Sequence, residues 1–232
     1  MAKADSADVK FAEGFMFSKT GPELRDSMIT MLSPAGIEKL SRSIKAKGMQ
    51  MVSFYVMGGN TVDSWKKQFE LAKRFKVKYV TSEPPVDMRD SIDSLAGVYH
   101  IKVAIHNHWK GTSRYWHPDS VLAALKGHPN FGVCADVGHW PKSGINPVEG
   151  LKKLKGHIIA LHLKDIAAYN DPTLKDVVVG TGIIDFPEVF KELKRQNFSG
   201  YIMIERDAEE QPSNLPSVMQ EIKYYKRQMQ KL

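Results

Sequence analysis

Five short apolar runs in this chain each close on an acid or an imidazole. Phe131-Gly132-Val133-Cys134 leads into Ala135-Asp136-Val137-Gly138-His139-Trp140, and Ile158-Ile159-Ala160-Leu161 leads into His162-Leu163-Lys164-Asp165. Tyr201-Ile202-Met203-Ile204 leads into Glu205-Arg206-Asp207, Val103-Ala104-Ile105 into His106-Asn107-His108, and Tyr79-Val80-Thr81 into Ser82-Glu83-Pro84. Runs with this β-branched and aromatic content read as buried strands, and the C-terminal ends of strands are where chemistry sits in α/β proteins. His106, Asp136, His162 and Glu205 together make two imidazoles and two carboxylates. That mixture suits Mn²⁺, Co²⁺, Zn²⁺ or Fe²⁺ better than Ca²⁺ or Mg²⁺. One divalent ion so held is a Lewis acid able to polarise a carbonyl and hold an enediolate. Glu83 and Glu205 are then the candidate bases for proton abstraction beside that carbonyl. His108, His139 and Lys164 are candidates to neutralise or protonate the oxyanion. Trp109, Arg114, Tyr115 and Trp140 have the types that line a sugar-sized pocket, with loop packing as the competing reading. His100, His117, His128 and His157 precede helices or strands rather than ending strands, and are read as structural.

The elements that must bring these residues together follow a strict alternation. Strands are expected near 9–15, 49–57, 79–83, 102–108, 131–136, 157–164 and 201–206. Ser33-Pro34 opens a helix with Ile37, Leu40 and Ile44 on one face, closed by Gly48. Trp65, Phe69 and Ala72 mark a second helix, and a third is expected at 86–97. Pro118 and Asn146-Pro147 start two more, ending at Gly127 and Gly156. Asp185 with Glu188 three residues on forms a capping box before Val189, Phe190 and Leu193, and a last helix covers about 215–230. Gly180-Thr181-Gly182 lacks the spacing of a dinucleotide fingerprint and reads as a turn. Alternating strands and helices imply parallel strands with helical crossovers, in a barrel or a doubly wound sheet. Only the barrel lets ligands from several strands meet at one mouth. Seven strands are one short of the eight-stranded form.

Length and composition frame this as an ordinary globular protein. A chain of 232 residues with 42% hydrophobic and 25% charged content is expected to form one α/β domain over 9–232, after a disordered lead at 1–8. No apolar run approaches the roughly 18 residues that span a bilayer, so no membrane partner is expected. The single cysteine, Cys134, rules out an internal disulfide and is a small core residue. The formal charge of +7 is spread over helix faces and reads as a solvated surface rather than a nucleic-acid footprint. The start lacks a basic stretch followed by an apolar one, so the expected compartment is cytoplasmic, or periplasmic if a leader was removed. A homo-oligomer is left open.

From about Met49 to Asp207, the ordered set Ser82-Glu83-Pro84, Ile105-His106-Asn107-His108, Asp136-Val137-Gly138-His139-Trp140, Leu161-His162-Leu163-Lys164-Asp165, Gly180-Thr181-Gly182 and Ile204-Glu205 resembles the xylose-isomerase-like TIM-barrel superfamily, and within it the sugar phosphate isomerase/epimerase group. The resemblance implies a (β/α) TIM barrel and a metal held by a Glu, an Asp, a His and a second Glu. Asp136, His162 and Glu205 match three of these, and His106 or Glu83 takes the place of the first Glu. Val9 to Met16 resembles the family's second strand, so the first strand–helix unit is expected to be absent. The implied function is a metal-dependent sugar or keto-sugar isomerase or epimerase. A dehydratase or lyase on a keto-sugar or cyclitol, or a non-catalytic subunit barrel, is the alternative. The DNA-repair endonucleases on this scaffold carry extra histidines for a metal cluster, and Val9–Phe15, Val52–Met57 and Asp171–Val179 contain none.

Overall fold

A computed structural model describes residues 9–232, and the expected lead at 1–8 lies outside the described residues. The chain divides into two compact units, one running to Val103 and including His128–Phe131, the other built from Ala104–Gly127 and Gly132–Leu232.

In the first unit, β1 (Phe11–Phe15), β2 (Gln50–Tyr55) and β3 (Tyr79–Ser82) pair in parallel in that order. Parallel neighbours need crossover helices, which are α1 (Pro34–Ala46) and α2 (Val62–Arg74). Ser33 Oγ caps α1 by accepting from the Gly36 amide, and Pro34 sits where a missing N–H costs nothing. Ile37, Leu40 and Ile44 are buried along one stripe of α1, as are Trp65, Phe69 and Ala72 along α2. Each large side chain so buried contributes about 2 kcal/mol. A short 3₁₀ turn at Val86–Met88 leads into α3 (Arg89–Tyr99). His128 bonds Asp90 through Nε2 at 3.0 Å, so this histidine serves packing within the unit.

β4 (Lys102–His106) carries the chain into the second unit, where the strand order is β4, β5 (Phe131–Asp136), β6 (Ile158–Leu163) and β9 (Tyr201–Ile204). Between them lie α4 (Pro118–Leu125), a four-residue helix α5 (His139–Lys142), and α6 (Pro147–Lys153). β7 (Asp165–Ile166) and β8 (Asp176–Val177) form a small antiparallel pair before α7 (Phe186–Arg195), and α8 (Leu215–Met229) ends the chain. Every residue of β5 is buried, as expected for a central parallel strand covered on both faces. His117 caps α4, accepting from the Asp119 amide at Nδ1, and Asp185 caps α7. The seven long strands and their helices are the (β/α) repeat of a TIM barrel.

Several boundaries differ from expectation for identifiable reasons. The strand expected to run to His108 stops at His106, because the Asn107 side chain replaces the backbone ladder: its Nδ2 donates to the Asp136 carbonyl and its Oδ1 accepts from the Asp136 amide, both at 2.9 Å. β3 stops at Ser82, two residues before Pro84. Gly180 and Gly182 donate their amides to Asp165 Oδ2, both at 2.9 Å, so that glycine pair wraps an internal carboxylate. α5 and the β7–β8 pair have no counterpart in the sequence reading, being too short to carry a period.

Candidate metal centre

The second unit's strand ends converge through register. Asp136 of β5 lies beside His162 of β6, and Leu163 lies beside Ile204 of β9, so Glu205 follows one residue beyond that pairing. Paired residues of adjacent parallel strands point to the same face, which sets the Asp136 and His162 side chains together. His106 closes β4. Ligand atoms of His106, Asp136, His162 and Glu205 all lie within 4.8 Å of one another. Glu205 Oε2 contacts His162 Nδ1, and Asp136 Oδ2 lies 3.6 Å from His106 Nε2.

A local turn aims Asp136. Its Oδ1 accepts the amides of Gly138 at 2.8 Å and His139 at 2.9 Å, which leaves Oδ2 directed at the other ligands. Gly138 is required here, because a Cβ would stand 2.7 Å from Lys164 Cβ and 2.9 Å from its carbonyl oxygen. Oδ2 is buried and accepts no hydrogen bond, with the Lys164 ammonium standing off at 3.4 Å. A buried carboxylate oxygen without a donor is costly unless a cation compensates it. That oxygen, among two imidazoles and a second carboxylate, fits a divalent first-row ion.

Lys164 lies within the same shell. Its Nζ is 2.6 Å from Asp207 Oδ2, 3.4 Å from both Asp136 Oδ2 and Glu205 Oε1, and 3.2 Å from His139 Nε2. Burial alone would push the ammonium's pKa down, but the charges of Asp136, Glu205 and Asp207 more than reverse this and hold it above its ordinary value. Burial likewise pushes Asp136 upward, yet His139, Lys164 and His106 hold it well below the usual carboxylate range. Glu205 is held low in the same way, by His162 and Lys164 against burial. Burial dominates at His139 and lowers its pKa well below the ordinary value, against the charge of Asp136. Lys164 places a positive charge where an oxyanion could form.

Beside the four ligands stands an aromatic layer. The His108 and His139 rings stack at 4.8 Å, and Trp109 meets His139 edge-on at 5.1 Å. Lys142 Nζ lies 4.4 Å from the Trp109 ring centre. Arg114 is exposed on the loop that follows. Of the residues expected in a sugar pocket, Trp140 is wholly buried with its ring against Gly150 of α6, and Tyr115 is 1% exposed. Glu83 follows β3 in the first unit and is half-buried. The sequence reading did not single out Asn107, Lys142 or Asp207. Asn107 and Asp207 sit in strand-end polar clusters that were legible, whereas Lys142 lies on a helix too short for a pattern.

A model of the xylose isomerase-like TIM barrel family matches residues 3–228. An inosose dehydratase from Clostridium botulinum is 31% identical over 138 residues, which cover 53% of this chain and 46% of that protein; the chain spans about half the length of the curated relatives it matches. A crystal structure of an uncharacterized protein from Parabacteroides distasonis is 35% identical, covers 99% of this chain and 90% of that one, and superposes with a TM-score of 0.75. The IolI protein with a bound zinc atom has the same fold, with a TM-score of 0.81 at 18% identity over 99% of this chain and 91% of that one. No described helix is long and apolar enough to cross a membrane. With nearly its whole length matched by the family model, the chain belongs to the xylose isomerase-like TIM barrel family.

Proposed function

We propose that this protein is a divalent-metal-dependent enzyme that moves a proton beside the carbonyl of a sugar or keto-sugar, as an isomerase or epimerase. The reading rests on one observation above all: four side chains of metal-ligating type, from four strand ends, place their donor atoms within 4.8 Å of one another. His106, Asp136, His162 and Glu205 would hold the ion, with Mn²⁺, Co²⁺, Zn²⁺ and Fe²⁺ the candidates. A bound divalent ion supplies Lewis acidity that polarises the substrate carbonyl. Glu205, at the edge of the site with a side chain 21% exposed, is the carboxylate that takes the proton. Lys164 stabilises the resulting oxyanion as a fixed positive charge, and His139 orients that ammonium through Nε2 at 3.2 Å. The name of a relative, an inosose dehydratase, supports a sugar-like substrate.

Elimination is the second reading, and it has its own support. Inversion at carbon is served by two bases on opposite faces of the substrate. If His106 takes the fourth ligand position, then within the second unit and among the described residues Glu205 is the carboxylate that would act beside the ligand Asp136 and the Lys164-bound Asp207. One base with neighbouring imidazoles suits loss of water, in which His108 or His139 assists the leaving hydroxyl.

Metal analysis of the purified protein, with Asp136→Asn and His162→Ala alongside, tests the core of the proposal. Wild type is expected to retain about one divalent ion per chain and both variants to lose it, together with turnover of keto-sugars in D₂O. Isomerisation gives a product of conserved carbon skeleton carrying deuterium, whereas elimination gives one lighter by water. Full turnover in a variant that binds no metal would end the proposal.

A further inference from the structure

We propose that Lys142 forms an anion-recognising subsite beside the metal centre, which pairs with a phosphate or carboxylate group carried by the substrate. The inference rests on the reading of the site as a metal-dependent sugar site and adds the substrate's charge to it.

Lys142 is the last residue of α5, the short helix that begins at His139, and it is only 8% exposed. Lysines are almost never buried to this extent unless paired. Every other cation near the centre has a carboxylate: Lys164 has Asp207, and Arg206 has Asp176 at 3.1 Å. Among the described residues, no carboxylate lies within ion-pair distance of Lys142, and its Nζ lies against the face of Trp109, 4.4 Å from the ring centre. A ring face holds an ammonium in place but does not replace a counter-ion.

Position ties this cation to the chemistry. Trp109 meets His139 at 5.1 Å, and His139 Nε2 is 3.4 Å from Asp136 Oδ2, so Lys142 stands one aromatic layer from the ligands. The short helix bearing it is fastened at its C-terminal end. Ser143 Oγ accepts from the Lys110 amide at 2.8 Å, and the Asn170 amide donates to Pro141 O at 2.9 Å. The sign of the ligand follows from that burial. The carboxylates of Asp207, Asp136 and Asp176 act on Lys142 from a distance and do not offset its burial, which pushes its pKa down, so an anion in direct contact would relieve that cost. A phosphate ester and a carboxylate present the same oxyanion to a lysine point charge.

Calorimetric titration of the full chain, loaded with Mn²⁺ and freed of excess metal, uses inorganic phosphate in one arm and acetate in the other. Wild type is expected to bind at least one of them saturably. Lys142→Met, which keeps the stem against Trp109, is expected to weaken that binding about tenfold, and Lys142→Arg to retain it. Saturation by phosphate alone points to a phosphorylated sugar, by acetate alone to a sugar acid, and by both to either oxyanion. Anions held only on the metal would bind Lys142→Met as tightly as wild type, and that result, or the absence of saturation in wild type up to about 50 mM, overturns the subsite. Failure of the metal reading is seen separately, as absent Mn²⁺ uptake. The anion titrations are then run in EDTA, and the same comparison of wild type with Lys142→Met decides.

Discussion

Glu221 on α8 is buried, at 0% exposure, and it lies against the segment that carries Glu205. Its Oε1 accepts from the Val179 amide at 3.2 Å and stands 3.4 Å from Arg206 Nη1, while Oε2 is sealed without a hydrogen bond. Burial outweighs both partners and pushes the carboxyl up from 4.5 to about 7. The folded protein therefore keeps a proton that the unfolded chain has already released between these values. Stability from this group is fully present below pH 4.5 and is lost as pH rises through 7. Each pH unit in that window costs about 1.4 kcal/mol, so the loss approaches 3 kcal/mol by pH 8. Glu221→Gln keeps an acceptor for Val179 and cannot ionise. Urea unfolding followed by circular dichroism, with both proteins between pH 4.5 and 8.5, isolates the residue as the difference between the two curves. The glutamine variant is expected to gain on wild type by about 3 kcal/mol across the range. Two parallel curves would refute the reasoning, because they would mean that Glu221 titrates alike in the folded and unfolded chains.

Asn107→Ala removes both hydrogen bonds that hold the Asp136 backbone, and a loss of about 2–3 kcal/mol in stability is expected from the unmet amide and carbonyl. Metal affinity measured by competition with a chelator should fall about tenfold, as for the loss of a group that orients a ligand; unchanged affinity would mean that Asp136 is positioned without Asn107. Lys164→Met leaves Asp136, Glu205 and Asp207 facing one another without a cation, and a loss of about 3–5 kcal/mol is expected. Added Mn²⁺ should recover more thermal stability in that variant than in wild type, since the ion then compensates more unbalanced charge. Equal thermal shifts would separate Lys164 from the ligand cluster.

How much of this was legible in the sequence depends on the range of the interaction. Strand ends could be read because a buried parallel strand must be apolar until it emerges, and His106, Asp136, His162 and Glu205 mark four such emergences. The register that sets Asp136 beside His162 follows from strand order, which the alternation of elements already implied. Aromatic residues were harder. Trp109 and Trp140 both follow a histidine that lies just past a strand end, yet Trp109 lies at the His139 layer while Trp140 packs on Gly150, a residue in a different helix. Only the tertiary neighbour decides which tryptophan faces the interior. Asn107 shows the same limit from the polar side, because its two hydrogen bonds run to a strand 29 residues away.

The charge arrangement constrains what the centre can do more tightly than its donor list. Asp136 and Glu205 are both held in their charged forms, so neither needs to lose a proton before meeting a cation, and metal binding at pH 7 need displace no proton from either. Lys164 enforces that state while remaining protonated itself, and its bond to Asp207 keeps the ammonium from collapsing onto a single ligand oxygen. The same low proton affinity makes Glu205 a weak base as the site stands. Under the proposed function, proton abstraction by this carboxylate requires that the substrate's own acidity be raised, which is the task of a Lewis acid on its carbonyl oxygen. The candidate ligands, the buried lysine and Glu205 are then interdependent. A variant that weakens metal binding should lower proton-transfer activity even where Glu205 is intact.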